Sequence, residues 1–275
     1  FIFTAIKGVS LHTVAAKFGS LHQRVESWFN DDVTGKDTTH FEEQQHFLWL
    51  WLREALRRHK LNLEFADLVQ RIIKFVQEQW WARNSSKNPY FRVNTYWQLQ
   101  TGAPWTLLMN SVTTLLDHLL SVDGTRVCGV VQGDDSSFGM AEGGYFNPWY
   151  FRMTMAEHKF NRTVGYFVFC HHAFIPNCEV AIPDVVRLVA RALNRPVTEA
   201  EDLSRSMVES LSVVATPVGK ELTTYAAGLI HGQLSEERRR FMTEFAHAIA
   251  NSSGRHLRSM LSHRNHVCGG FPVWD

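Results

Sequence analysis

The segment RVCGVVQGDDSSFGM, residues 126–140, constrains the fold more than any other part of the sequence. Two apolar stretches flank Gly133 and Asp134, and a Gly-Asp pair suits a type II′ reversal, whose first central residue takes a positive φ. The segment predicts a β-hairpin with Asp134 and Asp135 at its tip. Adjacent carboxylates on a tight turn are hard oxygen donors of the kind Mg²⁺ or Mn²⁺ takes. Taken alone, Gly-Asp-Asp is a weak signal, better explained as an ordinary solvated surface turn.

Two further segments add to it. In DVTGKDTTH, Asp32 is placed to end a strand and Asp37 to turn back beside it, ahead of a helix. Phosphoryl transfer by a pair of metal ions roughly 4 Å apart needs carboxylates from different strands, so Asp32 and Asp134 are the expected metal ligands. The competing reading makes Asp31, Asp32 and Asp37 loop and N-cap acids. In TGAPWTLLMNS, Gly102 permits a loop, Pro104 suits a first helical turn, and Thr106 and Asn110 lie one turn apart. Thr106, Asn110, Thr113 and Asp117 form a polar stripe. Leu108, Val112, Leu115 and Leu119 line the opposite face, so one side can pack while the other faces a cleft or solvent.

The remaining pattern predicts a mixed α+β chain. Thr39 with Glu42 reads as a capping box opening a helix, with Phe41, Leu48, Leu52 and Ala55 as its apolar face. A second helix is expected from about Leu63 to Trp81, YFRVNTYWQLQ as a short strand or hairpin, and GYFVFCHHAF as one further strand. Beyond Pro183 the character is helical. Val185, Leu188, Val189, Ala192 and Leu193 fall at helical spacing, a second capping box stands at Thr198 and Glu201, and another helix opens at Ser235. A domain boundary is expected near residue 180. With 275 residues and 45% hydrophobic content there is enough apolar side chain for a core. The 28 basic and 27 acidic residues give no global polyanion signature, so a nucleic-acid surface must come from local clustering. The scattered Cys128, Cys170, Cys178 and Cys268 fit a reducing compartment, and no stretch is long and apolar enough for a membrane span. Because the chain begins at Phe1, a piece of a longer open reading frame is expected.

In this order and spacing the three acidic and polar segments resemble viral RNA-dependent RNA polymerases. DVTGKD resembles their motif A, TGAPWTLLMNS their motif B, and GDD their motif C. Motif B is the specific one, matching Ser/Thr-Gly, three residues, Thr, three residues, Asn-Ser/Thr at every defined position. Within the family, APWTLLMNSV and IPDVVRLVARAL are most similar to the alphavirus-like supergroup, with hepevirus-like or insect tetravirus-like relatives.

The resemblance covers about residues 29 to 195. It implies a right-hand polymerase palm, an antiparallel sheet with helices, over 29–180. An α-helical thumb and tail follow over 181–275, and 1–28 are a remnant of the junction between fingers and palm, the fingers lying largely outside the chain. It implies that Asp32 and Asp134 hold Mg²⁺ or Mn²⁺ with Asp135 in support, and that Asp37, Thr106 and Asn110 bind the ribose of the incoming nucleotide. Lys159 stands where the family's motif D offers a general acid to the leaving pyrophosphate; a surface lysine is the competing reading. Thr101, Gly102, Gly133, Phe169 and Cys170 would contact template or primer, although a buried strand explains Phe169 and Cys170 as well. The partners implied are an RNA template and its nascent strand, ribonucleoside triphosphates and other viral replication proteins. The place implied is the host cytoplasm, in a replication complex attached to membrane through parts outside this chain.

Two alternatives stay in view, and a third reading is set aside. A reverse transcriptase or other palm polymerase shares the acidic pair but commonly carries an aromatic gate at the sugar, where this chain has Asp37 and Asn110. A non-catalytic RNA-binding fragment would also explain the chain. A zinc site at Cys170, His171, His172 and Cys178 matches no common spacing.

Overall fold

The computed structural model describes residues 2–5, 9–79, 81–83, 92–94, 98–99, 105–123, 126–147, 156–193 and 211–251. Thr101, Gly102, Pro104, the capping pair Thr198 and Glu201, Cys268 and the basic tail beyond Asn251 lie outside the described residues. The chain divides into two compact units, residues 1–7 with 29–162, and residues 8–28 with 163–275. The change of unit thus falls at 162/163 rather than near 180, and residues 8–28 belong with the C-terminal unit.

The first unit is built on a five-stranded sheet. Its strands are β1 (Ile2–Ala5), β2 (Ser27–Thr34), β6 (Arg126–Gln132), β7 (Asp135–Met140) and β9 (Glu157–Thr163), in the order β1-β6-β7-β2-β9. β6 and β7 form the expected antiparallel hairpin, with Gln132 opposite Asp135 and Val131 opposite Ser136. The positive φ of Gly133, 66°, supplies the reversal that a side chain would resist. β1 pairs parallel to β6, so the sheet is not purely antiparallel. Short ribbons pair β3 (Trp81–Arg83) with β4 (Arg92–Asn94), and β5 (Val122–Asp123) with β8 (Tyr145–Phe146).

Three helices accompany this sheet: α2 (Glu42–Arg58), α3 (Glu64–Gln79) and α4 (Thr106–Ser121). The start of α2 differs from the expected capping box. Thr39 lies in a 3-10 turn over Lys36–Thr39 and its hydroxyl donates back to Lys36 O at 2.8 Å, so it is spent before the helix begins. Phe41 is the N-cap instead, and its N–H donates to Gln44 Oε1 at 3.0 Å. Of the four residues expected on the apolar face only Leu48 is buried, beside Gln45, while Phe41 is exposed.

α4 departs further from expectation, because its polar stripe is the buried one. Asn110, Thr113 and Asp117 are buried, whereas Leu108 is 45% exposed. Such an inversion is stable only where the buried polar groups find partners. Thr113 Oγ1 bonds back to Met109 O at 2.9 Å, and the others are paired across the candidate site.

The second unit holds α1 (Leu11–Gly19), a three-stranded sheet of β10 (Phe167–Phe169), β11 (His172–Phe174) and β12 (Ile182–Pro183), then α5 (Val185–Leu193), α6 (Pro217–Ile230) and α7 (Glu236–Ala250). The segment expected as a single strand, GYFVFCHHAF, is a hairpin. Cys170 and His171 both take positive φ, 47° and 59°, the signature of a two-residue type I′ turn without its usual glycine. Aromatic stacking explains why residues 8–28 join this unit. Trp28 stacks on Phe167 at 4.2 Å, Phe167 on Phe174 at 4.5 Å, and Phe18 meets Phe167 edge-on at 6.1 Å. The helices α5, α6 and α7 bury Val185, Val189, Ala227, Met242, Ala246 and Ile249 in one core. Ser235 caps α7, its hydroxyl accepting from Arg238 N at 3.4 Å. Among the described residues no helix is long and apolar enough to cross a membrane.

Candidate active site

Asp32, Asp37 and Asp134 lie near enough in the first unit to influence one another electrostatically. Asp32 lies near the end of β2, exposed, with the buried Asp31 and Val33 on either side, so strand alternation turns it away from the core. Gly35, with φ 61°, then reverses the chain into the 3-10 turn that carries Asp37. Val33 N donates to Asp134 O at 3.4 Å, which ties β2 to the β6–β7 turn. Part of Asp134 is withdrawn from water, and this, with the negative charges of Asp32 and Asp37, raises its carboxyl above the usual range; Lys36 partly offsets the effect. Carboxylates from β2, from the 3-10 turn and from the hairpin tip therefore act on one another. Asp135, half-buried, opens β7 opposite Gln132.

α4 brings its first turns to the same place. Asn110 Nδ2 donates to Asp37 Oδ1 at 2.6 Å, and Asn110 Oδ1 lies 2.7 Å from His40 Nε2. Ser111 Oγ donates to Leu107 O at 2.6 Å and accepts from Gly133 N at 2.8 Å, so the helix is bonded directly to the acidic turn. Thr106, half-buried, is the first residue of the helix.

Next to these groups lies a buried polar layer, of which the sequence pattern singled out only Asp31 and Asp117. Lys36 Nζ donates to Asp117 Oδ2 at 2.5 Å with both side chains almost wholly buried. Asp31 Oδ2 accepts from His158 Nδ1 at 2.7 Å and from His118 Nε2 at 3.1 Å, and Ser136 Oγ lies 2.8 Å from His118 Nε2. Burial works against an ionised Asp31, but the bonds from the two imidazoles outweigh it and hold its carboxyl below the usual range. Burial likewise holds His118 below the ordinary imidazole value, against the pull of Asp31. Both directions favour a carboxylate at Asp31 and an uncharged ring at His118. The available signal was the α4 stripe: continued past Asp117 it reaches His118 and Ser121, both fully buried.

The other expected site residues are placed as follows. Lys159 is exposed on β9. Since its neighbour His158 faces Asp31, alternation along the strand puts Lys159 on the same exposed face of the sheet as Asp32. Phe169 is fully buried, paired across the hairpin with His172, and Cys170 stands at the hairpin tip, half-buried. Both belong to the second unit. Gly133 is buried at the acidic turn, with its N–H on Ser111.

Among the described residues no group of three or more His, Cys, Asp or Glu converges closely enough to hold a metal ion by itself. Asp32 and Asp134 are nonetheless a fitting set for a hard divalent cation. Mg²⁺ keeps several waters and is usually held by one or two carboxylates together with substrate phosphates. Desolvation is the larger cause of the raised Asp134 carboxyl, and the negative charges of Asp32 and Asp37 add to it; a cation would offset that added part. Compared with models of known protein families the sequence matches none, and no curated protein is significantly similar to it.

Proposed function

We propose that this chain carries the palm and thumb of an RNA-dependent RNA polymerase and transfers nucleotides from ribonucleoside triphosphates to an RNA 3′ end. The observation that carries the reading is the 2.6 Å bond from Asn110 to Asp37, beside Asp134. With the bond from Gly133 N to Ser111 Oγ it joins three segments that are far apart in sequence and that resemble polymerase motifs A, B and C. The α-helical cluster after residue 185 supports the thumb assignment, and the β6–β7 hairpin with its flanking β2 supports the palm.

Asp32 and Asp134 would hold Mg²⁺ or Mn²⁺, with Asp135 beside them. When bound, the metal supplies charge neutralisation for the triphosphate and the transferring phosphoryl group. The chain's own residues then orient the substrate. Asp37 accepts from, and Asn110 donates to, a sugar hydroxyl. Ser111 fixes the turn that aims Asp134, and Lys36 holds the 3-10 turn against α4 through Asp117. Lys159, on the exposed face shared with Asp32, is available to give a proton to the departing pyrophosphate. RNA template and nascent strand, other viral replication proteins and a cytoplasmic, membrane-attached complex belong to the same proposal.

The test is incorporation of labelled ribonucleotides on a defined RNA template by the full-length protein, with and without Mg²⁺ or Mn²⁺. Template-dependent and metal-dependent extension is expected. Folded protein that binds RNA but extends nothing would favour a non-catalytic RNA-binding role.

A further inference from the structure

We infer that His40 is a positioning residue that fixes which way round the Asn110 amide lies, and that the site so formed selects a sugar substituent able to donate a hydrogen bond as well as accept one. The inference rests on the nucleotide-transfer reading for its substrate, but not for its geometry.

His40 is 3% exposed and Asn110 is 6% exposed. An amide oxygen only accepts, so the 2.7 Å contact between Asn110 Oδ1 and His40 Nε2 requires that Nε2 carry the proton. His40 Nδ1 has no hydrogen-bond partner among the described residues, which suits the nitrogen without a proton. On its other side the Asn110 amide donates from Nδ2 to Asp37 Oδ1 at 2.6 Å. Rotating the amide by half a turn would set its oxygen against the Asp37 carboxylate and its NH₂ against the His40 N–H. Two hydrogen bonds would become two like-to-like contacts.

Asp37 alone could hold the amide while no substrate is present. A substrate hydroxyl, however, competes for the Asp37 carboxylate, and at that moment His40 is what keeps Asn110 from turning. The polarity of the site follows. Asn110 Oδ1 is committed to His40, so the amide meets the substrate through the second hydrogen on Nδ2, as a donor. Asp37 meets it as an acceptor. A 2′-hydroxyl satisfies both, a 2′-hydrogen neither, and a 2′-fluorine offers no proton to the carboxylate.

Two measurements on the full-length protein decide this. The first is the ¹⁵N spectrum of imidazole-labelled protein, with the His40 signals identified by their loss in His40→Gln. The Nε2–H tautomer is expected; the Nδ1–H tautomer overturns the inference whether or not the protein makes RNA. The second compares single incorporation of ATP, dATP and 2′-fluoro-dATP. His40→Gln keeps a donor toward Asn110 and should hold the ribose-to-deoxyribose ratio of kcat/KM within about threefold of wild type. His40→Phe keeps the ring without the donor and should lower that ratio about tenfold, through loss on ATP, with little change on the fluoro analogue. An equal loss on all three nucleotides would leave His40 only a structural role and overturn the inference. If wild type incorporates no ATP, the polymerase reading fails, and the tautomer alone decides the relay.

Discussion

Ser111 Oγ accepts the Gly133 N–H at 2.8 Å while donating to Leu107 O, so one hydroxyl joins the first turns of α4 to the turn that carries Asp134. Gly133 is buried, and without that hydroxyl its N–H would be left unsatisfied. Ser111→Ala should cost about 1–2 kcal/mol in denaturant unfolding and lower nucleotide incorporation by more than the fraction unfolded explains. Ser111→Thr retains the hydroxyl and should recover most of the loss. Equal stability of wild type and Ser111→Ala would remove the coupling.

The acidic turn, its flanking strands and the helix that precedes it were legible in the sequence, because Gly-Asp turns and helical stripes leave local signatures. The inversion of α4 was not. A stripe of Thr, Asn and Asp reads as a solvated face unless its partners are known, and those partners, Lys36, His40 and Asp37, come from residues 70 to 81 positions earlier. The hairpin at Cys170 was missed for a related reason. Its two turn residues take positive φ without glycine or asparagine, so the sequence carries no punctuation there. Residues 8–28 could not be assigned to the C-terminal unit from pattern alone, since what recruits them is stacking of Trp28 on Phe167 across a long sequence separation.

Asp134 lies among like charges, and that makes its stability and its activity oppose each other. Partial withdrawal from water and the charges of Asp32 and Asp37 all disfavour its ionised form. Asp134→Asn removes the repulsion and should raise the Tm of the metal-free protein by about a degree or two while abolishing nucleotide transfer. Millimolar Mg²⁺ or Mn²⁺ should raise the Tm of wild type and leave the variant unmoved. A lower Tm in Asp134→Asn, or the same metal response in both, would contradict the charge balance described.

Lys36 and Asp117 form a buried ion pair, and removing one partner leaves the other charged in a poorly solvating place. Lys36→Met should cost roughly 3–5 kcal/mol. The double variant Lys36→Met with Asp117→Leu should regain much of that, because two apolar side chains of similar size replace the pair. A double-mutant cycle by urea unfolding reads this coupling directly. Additive losses would mean that the pair contributes through packing alone.

His22 offers a pH dependence whose sign can be worked out. It is 7% exposed, lies against Trp28 at 5.0 Å and Phe167 at 5.6 Å, and its Nδ1 has no hydrogen-bond partner among the described residues. Burial lowers its pKa to about 4 from 6.5. Between those values the unfolded chain binds a proton that the folded chain does not, so stability rises with pH across that interval. The contribution of the neutral ring is fully present above about pH 6.5 and is lost as pH falls toward 4. The interval corresponds to roughly 3 kcal/mol at most. His22→Phe keeps an aromatic ring against Trp28 and removes the titration. Unfolding free energies measured from pH 4 to 8 should therefore converge at high pH and separate below 6.5, with the variant the more stable at pH 4.5. Parallel profiles for the two proteins would show that His22 takes up its proton in the folded state as readily as in the unfolded chain.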